Sequence, residues 1–338
     1  MLNSTNLLKS HNSAHALAQA SAHSEFLADM QHALSLPRKS ISPKHFYDIR
    51  GSALFDRICE LPEYYPTRTE VSILQSHAGD IGQRIGADAE IVEFGAGSLH
   101  KVRLLLNALE RPRRYVPLDI SGEHLNASAD QLRGQFPDLQ VLPLVADYTR
   151  PWVLPKQAPG TGKRVGFFPG STIGNFSPAE ALHFLQTTAQ ALPGGALLLG
   201  ADLIKHPDVL HAAYNDAQGV TAAFNLNVLE RANRELGANF KLHQFDHSAF
   251  YNAPEQRIEM HLISNCRQTV RVGDVVFPFE AGESLHTENS YKFSIDGLQR
   301  LAKRAGLQPG PVWTDPQHWF CLQWLDIPTS IHPLKETP

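Results

Sequence analysis

The chain has 338 residues, 42% of them hydrophobic and 19% charged, the composition of a globular protein with one large domain or two. A formal net charge of −4 gives no electrostatic case for nucleic acid or an anionic membrane. No apolar run approaches the roughly 18 residues of a spanning helix, so no membrane segment is expected. Three scattered cysteines, Cys59, Cys266 and Cys321, have no metal-like spacing and read as reduced thiols of a cytoplasmic protein.

In chain order, the N-terminus lacks a basic region followed by an apolar one and is not read as a secretory signal. Residues 1–19 read as a flexible leader, and His11, His15, His23 and His32, in weakly patterned sequence, read as solvated. Val71, Leu74, Ala78, Ile81 and Ile85 make a helical stripe. A strand, Glu90-Ile91-Val92-Glu93-Phe94, then stops at Gly95-Ala96-Gly97, and Val102, Leu105, Leu106 and Leu109 mark a helix behind the turn. A glycine turn at a helix N-terminus lets a ligand approach the main chain. Twenty-four residues after Gly95, the run Tyr115–Leu118 ends in Asp119, where a carboxylate would grip a ribose diol. A dinucleotide fingerprint would need glycine at position 100, which is His100. The third glycine serves packing beneath a pyrophosphate, so its absence disfavours NAD and FAD and favours S-adenosylmethionine.

Further strands are expected at Leu139–Val145, Val165–Phe168 and Ala196–Leu199, with a helix carrying Leu182, Leu185, Ala189 and Leu192. Alternating strands and helices predict a parallel sheet covered on both faces. Gln308–Thr314 and Phe320–Leu325 predict a closing antiparallel hairpin. Between the fifth strand and that hairpin, residues 206–293 exceed what the sheet needs, with a helical region from Leu210 to Leu236 and alternating segments around Phe250–Tyr251 and Ile258–Ile263. Together with the segment before residue 68, this insertion would cover the C-terminal strand ends, where open α/β sheets bind ligands. His243 and His247 stand i, i+4, but Phe240–Phe245 alternates like a strand and turns them apart, so no metal site is expected.

Several blocks are distinctive: Phe46–Phe55, Leu61–Glu70, Phe168–Asn175, Ala213–Asp216, Gly219–Asn225, Arg257–Met260 and Thr287–Phe293. In order, from about residue 43 to the final hairpin, they resemble the ergothioneine-pathway L-histidine Nα-methyltransferases. The resemblance implies a class I Rossmann-like methyltransferase sheet, α/β, with an inserted α+β substrate-binding domain. Its domains would be 68–205 and 294–338 for the S-adenosylmethionine core, and 20–67 and 206–293 for the substrate. It implies transfer of three methyl groups to the α-amine of L-histidine, through its mono- and dimethyl forms, giving hercynine. A cytoplasmic monomer with no nucleic-acid or membrane partner is expected.

The family's cofactor positions fall on Gly95, Lys101, Asp119, Asp147, Tyr148, Gly170 and Thr172; Tyr148 replaces a phenylalanine and keeps the aromatic face. Its substrate positions fall on Tyr47, Phe55, Tyr64, Asn175, Tyr214, Met260, Glu288 and Ser290. Tyr47 and Phe55 are the catalytic candidates. Chemically, a carboxylate and a hydroxyl suit imidazole nitrogens, an amide and a phenol suit a carboxylate, and aromatic faces suit a methylated cation. The family's fungal members acting on a prenylated tryptophan differ at the imidazole positions, so Met260, Glu288 and Ser290 favour histidine. The alternatives are a same-fold N-methyltransferase for another amino acid or amine, and a nucleotide-sensing protein without catalysis.

Overall fold

The computed structural model describes residues 23–330 except 98, 121 and 151; the expected leader, residues 1–19, lies outside them. A helix, α1, covers 23–35. It is followed by α2 (Ile49–Glu60), α3 (Tyr65–Ser76), α4 (Ala78–Ile85), β1 (Glu90–Phe94), α5 (Leu99–Asn107), β2 (Arg114–Asp119) and α6 (Gly122–Gln135). Next come β3 (Gln140–Val141), β4 (Leu144–Val145), β5 (Arg164–Phe168), α7 (Pro178–Ala191), β6 (Ala196–Asp202), α8 (Pro207–Tyr214) and α9 (Val220–Leu236). The chain continues with β7 (Phe245–Asn252), β8 (Arg257–Ser264), β9 (Gln268–Val272), β10 (Val275–Phe279) and β11 (Ser284–Tyr291). It closes with α10 (Ile295–Arg304), β12 (Gln308–Thr314) and β13 (Phe320–Asp326).

Two compact units divide these elements. One comprises the described residues up to Ile58, Tyr214–Phe250 and Glu259–Glu288; the other comprises Cys59–Ala213, Tyr251–Ile258 and Asn289 onward. The second carries an eight-stranded sheet in the order β12-β13-β6-β5-β1-β2-β3, with β4 also on β2. Neighbours from β6 through β3 run parallel, whereas β13 pairs antiparallel with both β6 and β12. The period of two sorts side chains to opposite faces. Ile91, Tyr115, Val165, Phe167 and Leu198 join one core with Ile81, Leu105 and Leu132. Val92, Phe94, Val116, Leu118, Phe168, Leu197 and Leu199 join the other with Phe184, Leu185 and Leu298. Both faces are therefore covered by helices, which is why these strands read as nearly unbroken apolar runs.

Local departures from the sequence reading have physical causes. The stripe at 71–85 is two helices, α3 and α4, broken at His77, whose N–H bonds Ile73 O at 3.0 Å. The helical region 210–236 is likewise two helices. Asp216, between them, accepts from Val220 N at 2.9 Å and Thr221 N at 2.8 Å, which caps α9. Leu139–Val145 forms only the short β3 and β4. Leu242–Gln244 is a 3-10 turn rather than strand, and extended structure starts at Phe245.

In the first unit, β9 and β10 form a hairpin through Gly273-Asp274. β7, β8 and β11 form a three-stranded sheet in the order β11-β8-β7. Asn225 of α9, fully buried, is tied to this region: its amide contacts His247 Nδ1 at 2.9 Å and His261 O at 3.0 Å, and it accepts from Thr287 Oγ1 at 2.7 Å.

Candidate active site

At the end of β1 the chain enters a left-handed conformation at Gly95, φ +73°. Gly95 N and Ala96 N both donate to Leu118 O, at 2.9 and 3.0 Å, so the turn wraps over the tip of β2. A β-carbon on Gly95 would lie 3.4 Å from the Tyr148 hydroxyl, whereas one on Gly97 would meet nothing within 4 Å. One glycine therefore packs under an aromatic ring, while the space where the other would carry a side chain is open, its N–H donating to Gly95 O at 2.8 Å. Asp119 ends β2 and is half-buried. Asp147 accepts from Thr149 N at 2.9 Å, an Asx turn that aims the following residues. Burial first, then Asp119 and Asp147, holds the Tyr148 phenol protonated.

Beside this turn, β5 ends in Pro169-Gly170-Ser171-Thr172. Gly170, φ +77°, and Ser171, φ +58°, are both left-handed, an arrangement unusual for serine. Ser171 Oγ accepts from Asp202 N at 2.9 Å, which holds it there. Gly170 N donates to both Glu70 oxygens, at 3.0 and 2.9 Å, and Lys101 Nζ pairs with the same carboxylate. Thr172 Oγ1 donates to Pro169 O at 2.9 Å. Lys101 and Gly170 are thus both held by Glu70, while Thr172 is tied to Pro169 of the same turn. Glu93 lies beneath the turn and accepts from the Tyr115 hydroxyl. Burial pushes its carboxyl up to about 8, against that hydrogen bond and Lys101.

Neither Glu70 nor Glu93 was singled out by spacing. Glu93 gave one signal, a carboxylate inside the apolar run of β1. Glu70 gave none, because its partner Gly170 is 100 residues away.

Tyr64 and Asn175 are half-buried, just before α3 and at the end of a 3-10 turn over Thr172–Asn175. Ser290, near the end of β11, is 5% exposed and accepts from Lys292 Nζ at 2.8 Å. In the other unit, Tyr47 and Phe55 stand edge to face at 5.7 Å, both against Phe224, at 5.7 and 6.0 Å. The Tyr214 side chain is buried and its carbonyl contacts His247 Nε2 at 2.9 Å. Met260 and Glu288 are also buried, at 1% and 9% exposure. Met260 O accepts from Thr287 Oγ1 at 3.0 Å. Along an extended β11, Glu288 and Ser290 share a face.

His243 lies in the 3-10 turn, and the His247 ring is engaged by Asn225 and Tyr214, so the i, i+4 histidines do not form a pair. Glu259, His261 and His286 do gather, with ligand atoms within 4.8 Å. The two imidazoles are stacked, with centroids 4.7 Å apart and planes at 24°, and their Nε2 atoms are engaged within the protein, His261 with Glu259 Oε2 and His286 with Glu288 O, each at 3.0 Å.

A glycine turn under an aromatic ring and a carboxylate on the neighbouring strand, without the third glycine of a pyrophosphate site, define an S-adenosylmethionine-dependent methyltransferase. Residues 26–327 match the family model described as histidine-specific methyltransferase, SAM-dependent, and the chain belongs to that family. It is similar to the histidine N-alpha-methyltransferase of Mycolicibacterium smegmatis, 43% identical over 91% of this chain and 97% of that protein. Ergothioneine biosynthesis protein 1 of Neurospora crassa is 32% identical over 79% of this chain and 31% of its own length. The 4-dimethylallyltryptophan N-methyltransferase of Claviceps purpurea is 26% identical over 82% of this chain and 88% of that protein. Among the described residues, no helix is long and apolar enough to cross a membrane.

Proposed function

We infer that the protein transfers three methyl groups from S-adenosylmethionine to the α-amine of L-histidine, giving hercynine as a step towards ergothioneine. The observation that carries this reading is the family match over residues 26–327, which spans every candidate substrate position. Tyr47, Phe55, Tyr64, Asn175, Tyr214, Met260, Glu288 and Ser290 all keep the residue types that histidine recognition asks for. The 43% identical mycobacterial relative, matched over nearly its whole length, supports histidine over an indole.

The residues fit the cofactor: Asp119 would take the ribose hydroxyls, Gly95 and Gly97 the methionine part, and Asp147 and Tyr148 the adenine side. Lys101, Gly170 and Thr172 would complete the wall. When bound, the cofactor supplies an electrophilic methyl group on a sulfonium. The protein's part is to aim a neutral amine lone pair at that carbon and hold it there. Asn175 and Tyr214 donate to the substrate carboxylate, while Glu288 accepts an imidazole N–H and Ser290 meets the other ring nitrogen. The Tyr47 hydroxyl accepts an amine N–H while any remains. The faces of Tyr47 and Phe55 then stabilise the growing cation by about 0.5–2 kcal/mol. A carboxylate in their place would retain the cationic product, and aromatic rings let it leave.

The test is substrate choice. Glu288→Ala combined with Met260→Val should lose histidine methylation and make room for a larger ring, because a site built around hydrogen bonds rejects analogues that cannot make them. Histidine turnover in the double variant equal to that of the wild type would show these residues have no part in recognition. The protein is expected to act as a monomer in the cytoplasm.

A further inference from the structure

Four of the distinctive sequence blocks meet around one buried amide, that of Asn225. Its own block, Gly219–Asn225, supplies the amide, and the other three supply Tyr214, Met260 and Thr287. Asn225 Nδ2 lies 2.9 Å from His247 Nδ1 and donates to His261 O at 3.0 Å, while Oδ1 accepts from Thr287 Oγ1 at 2.7 Å. The far side of the His247 ring reaches the Tyr214 carbonyl, Nε2 to oxygen 2.9 Å, and the Thr287 hydroxyl also lies 3.0 Å from Met260 O. Asn225 and Thr287 are both fully buried. One side chain thereby ties Tyr214 to all three strands, through His247 of β7, His261 of β8 and Thr287 of β11.

The direction of these bonds follows from chemistry. A carbonyl only accepts, so the oxygens of Tyr214 and His261 put the His247 proton on Nε2 and turn the Asn225 amino group towards β8. His247 Nδ1 is then bare and accepts the second Asn225 N–H. Burial pushes the His247 ring below its ordinary pKa, against its bond to the Tyr214 carbonyl, and keeps that neutral form at neutral pH. Both amide protons and the amide oxygen of Asn225 are used, so the side chain has one orientation. Apolar packing alone would hold α9 on the sheet but would tolerate small slips, which directional bonds do not.

The residues held in this way belong to the candidate substrate site. Tyr214 is assigned to the substrate carboxylate, and Met260 and Glu288 to its ring. Glu288 follows Thr287 directly, and its own carbonyl meets His286 Nε2 at 3.0 Å. Holding a carbonyl, or the preceding residue, fixes the root of each of those side chains. The two ends of an amino-acid substrate are thus referred to the same amide.

We propose that Asn225, acting through His247 and Thr287, is a positioning residue that sets the distance between the carboxylate-binding end of the site and its ring-reading end. The site then selects a side chain with one methylene between α-carbon and ring. The proposal rests on the reading that Tyr214 holds the carboxylate and that Met260 and Glu288 meet the imidazole.

The comparison substrate is homohistidine, which carries the same ring and amine with one further methylene. Steady-state kinetics should give kcat and KM for both, with S-adenosylhomocysteine affinity by calorimetry as a check on the cofactor core. In the wild type kcat/KM should favour histidine by about 10- to 200-fold, the usual discrimination over one methylene. In Asn225→Ala and in Thr287→Val that ratio should shrink about tenfold, mostly through a raised KM for histidine, with S-adenosylhomocysteine affinity unchanged. The double variant should be no worse than Asn225→Ala, because both changes break the same tie. His247→Leu should act like them. His247→Gln, whose amide accepts from Asn225 and donates to the Tyr214 carbonyl, should recover most of the lost selectivity. A merely structural role would lower the active fraction, and so kcat for both substrates alike, leaving KM and the ratio as they were. If Asn225→Ala does not fold, Thr287→Val, which exchanges one hydroxyl for a methyl, carries the same arm. A ratio unchanged in these variants overturns the proposal, as does a wild type that takes both substrates equally. Wild-type protein that methylates neither substrate would overturn the functional reading, and the proposal with it.

Discussion

Replacing Glu70 by alanine should cost stability and cofactor affinity together. Its carboxylate is fully buried, accepts Gly170 N through both oxygens and pairs with Lys101, whose side chain is 13% exposed. Alanine leaves the Gly170 N–H without an acceptor, a loss of about 1–3 kcal/mol. It also leaves a mostly buried ammonium without its partner. A wholly trapped charge would cost about 3–5 kcal/mol, but Lys101 has a flexible stem with which to reach water, which lowers the figure. Roughly 3 kcal/mol in all is expected by urea unfolding without ligand. Glu70→Gln keeps an acceptor for Gly170 and nearly the same volume, so it should lose only about 1–2 kcal/mol. Calorimetry should show S-adenosylmethionine binding weakened in the same order, because Gly170 and Lys101 are both proposed cofactor residues. Glu70→Ala within about 0.5 kcal/mol of the wild type, the range of neutral surface changes, would refute the claim that this carboxylate organises the turn.

Three further outcomes follow from the same geometry. Glu93 titrates near 8 in the folded chain, above its ordinary value of 4.5, so the folded state holds a proton that the unfolded state has released. Stability should therefore fall as pH rises through that window, by at most about 1.4 kcal/mol per pH unit. Glu93→Gln should flatten the curve, and wild-type and variant curves that run parallel would contradict this. Asp119→Ala removes charge-assisted hydrogen bonds of roughly 1.5–3 kcal/mol, about 10- to 150-fold in S-adenosylmethionine affinity by calorimetry; unchanged binding would remove the ribose role. Tyr47→Phe should retain cofactor binding and slow methylation most while N–H bonds remain on the amine. Single-turnover rates equal to wild type at the first two transfers would leave only the aromatic-face role.

What was legible in the sequence was mostly local. The strand, glycine turn, helix and Asp119 lie within one βαβ unit, where spacing alone fixes geometry. The final hairpin was legible too, because two alternating runs flank a turn around Pro316. Gly273-Asp274, between the alternating runs of β9 and β10, carried a comparable hairpin signal that went unread. Side chains that act on distant backbone were beyond reach. Asp216 looks like an ordinary polar residue until it caps α9, and Asn225 looks like a helix-surface amide until it meets Thr287 and His261. Asp202 sits at a strand end, with Lys205 only three residues on, but its other partners, Tyr65 and Lys292, come from segments far along the chain. The candidate substrate residues were reached through motif resemblance, since a buried tyrosine or methionine carries no periodicity that separates a site from a core.

The central claim is tested most directly by incubating the purified protein with S-adenosylmethionine and each amino acid singly, and reading the products by mass. The account predicts that histidine alone gains three methyl groups, with mono- and dimethylhistidine as transient species and three equivalents of S-adenosylhomocysteine released. Histidine recovered unmodified, with methyl groups appearing on another amino acid, would contradict it.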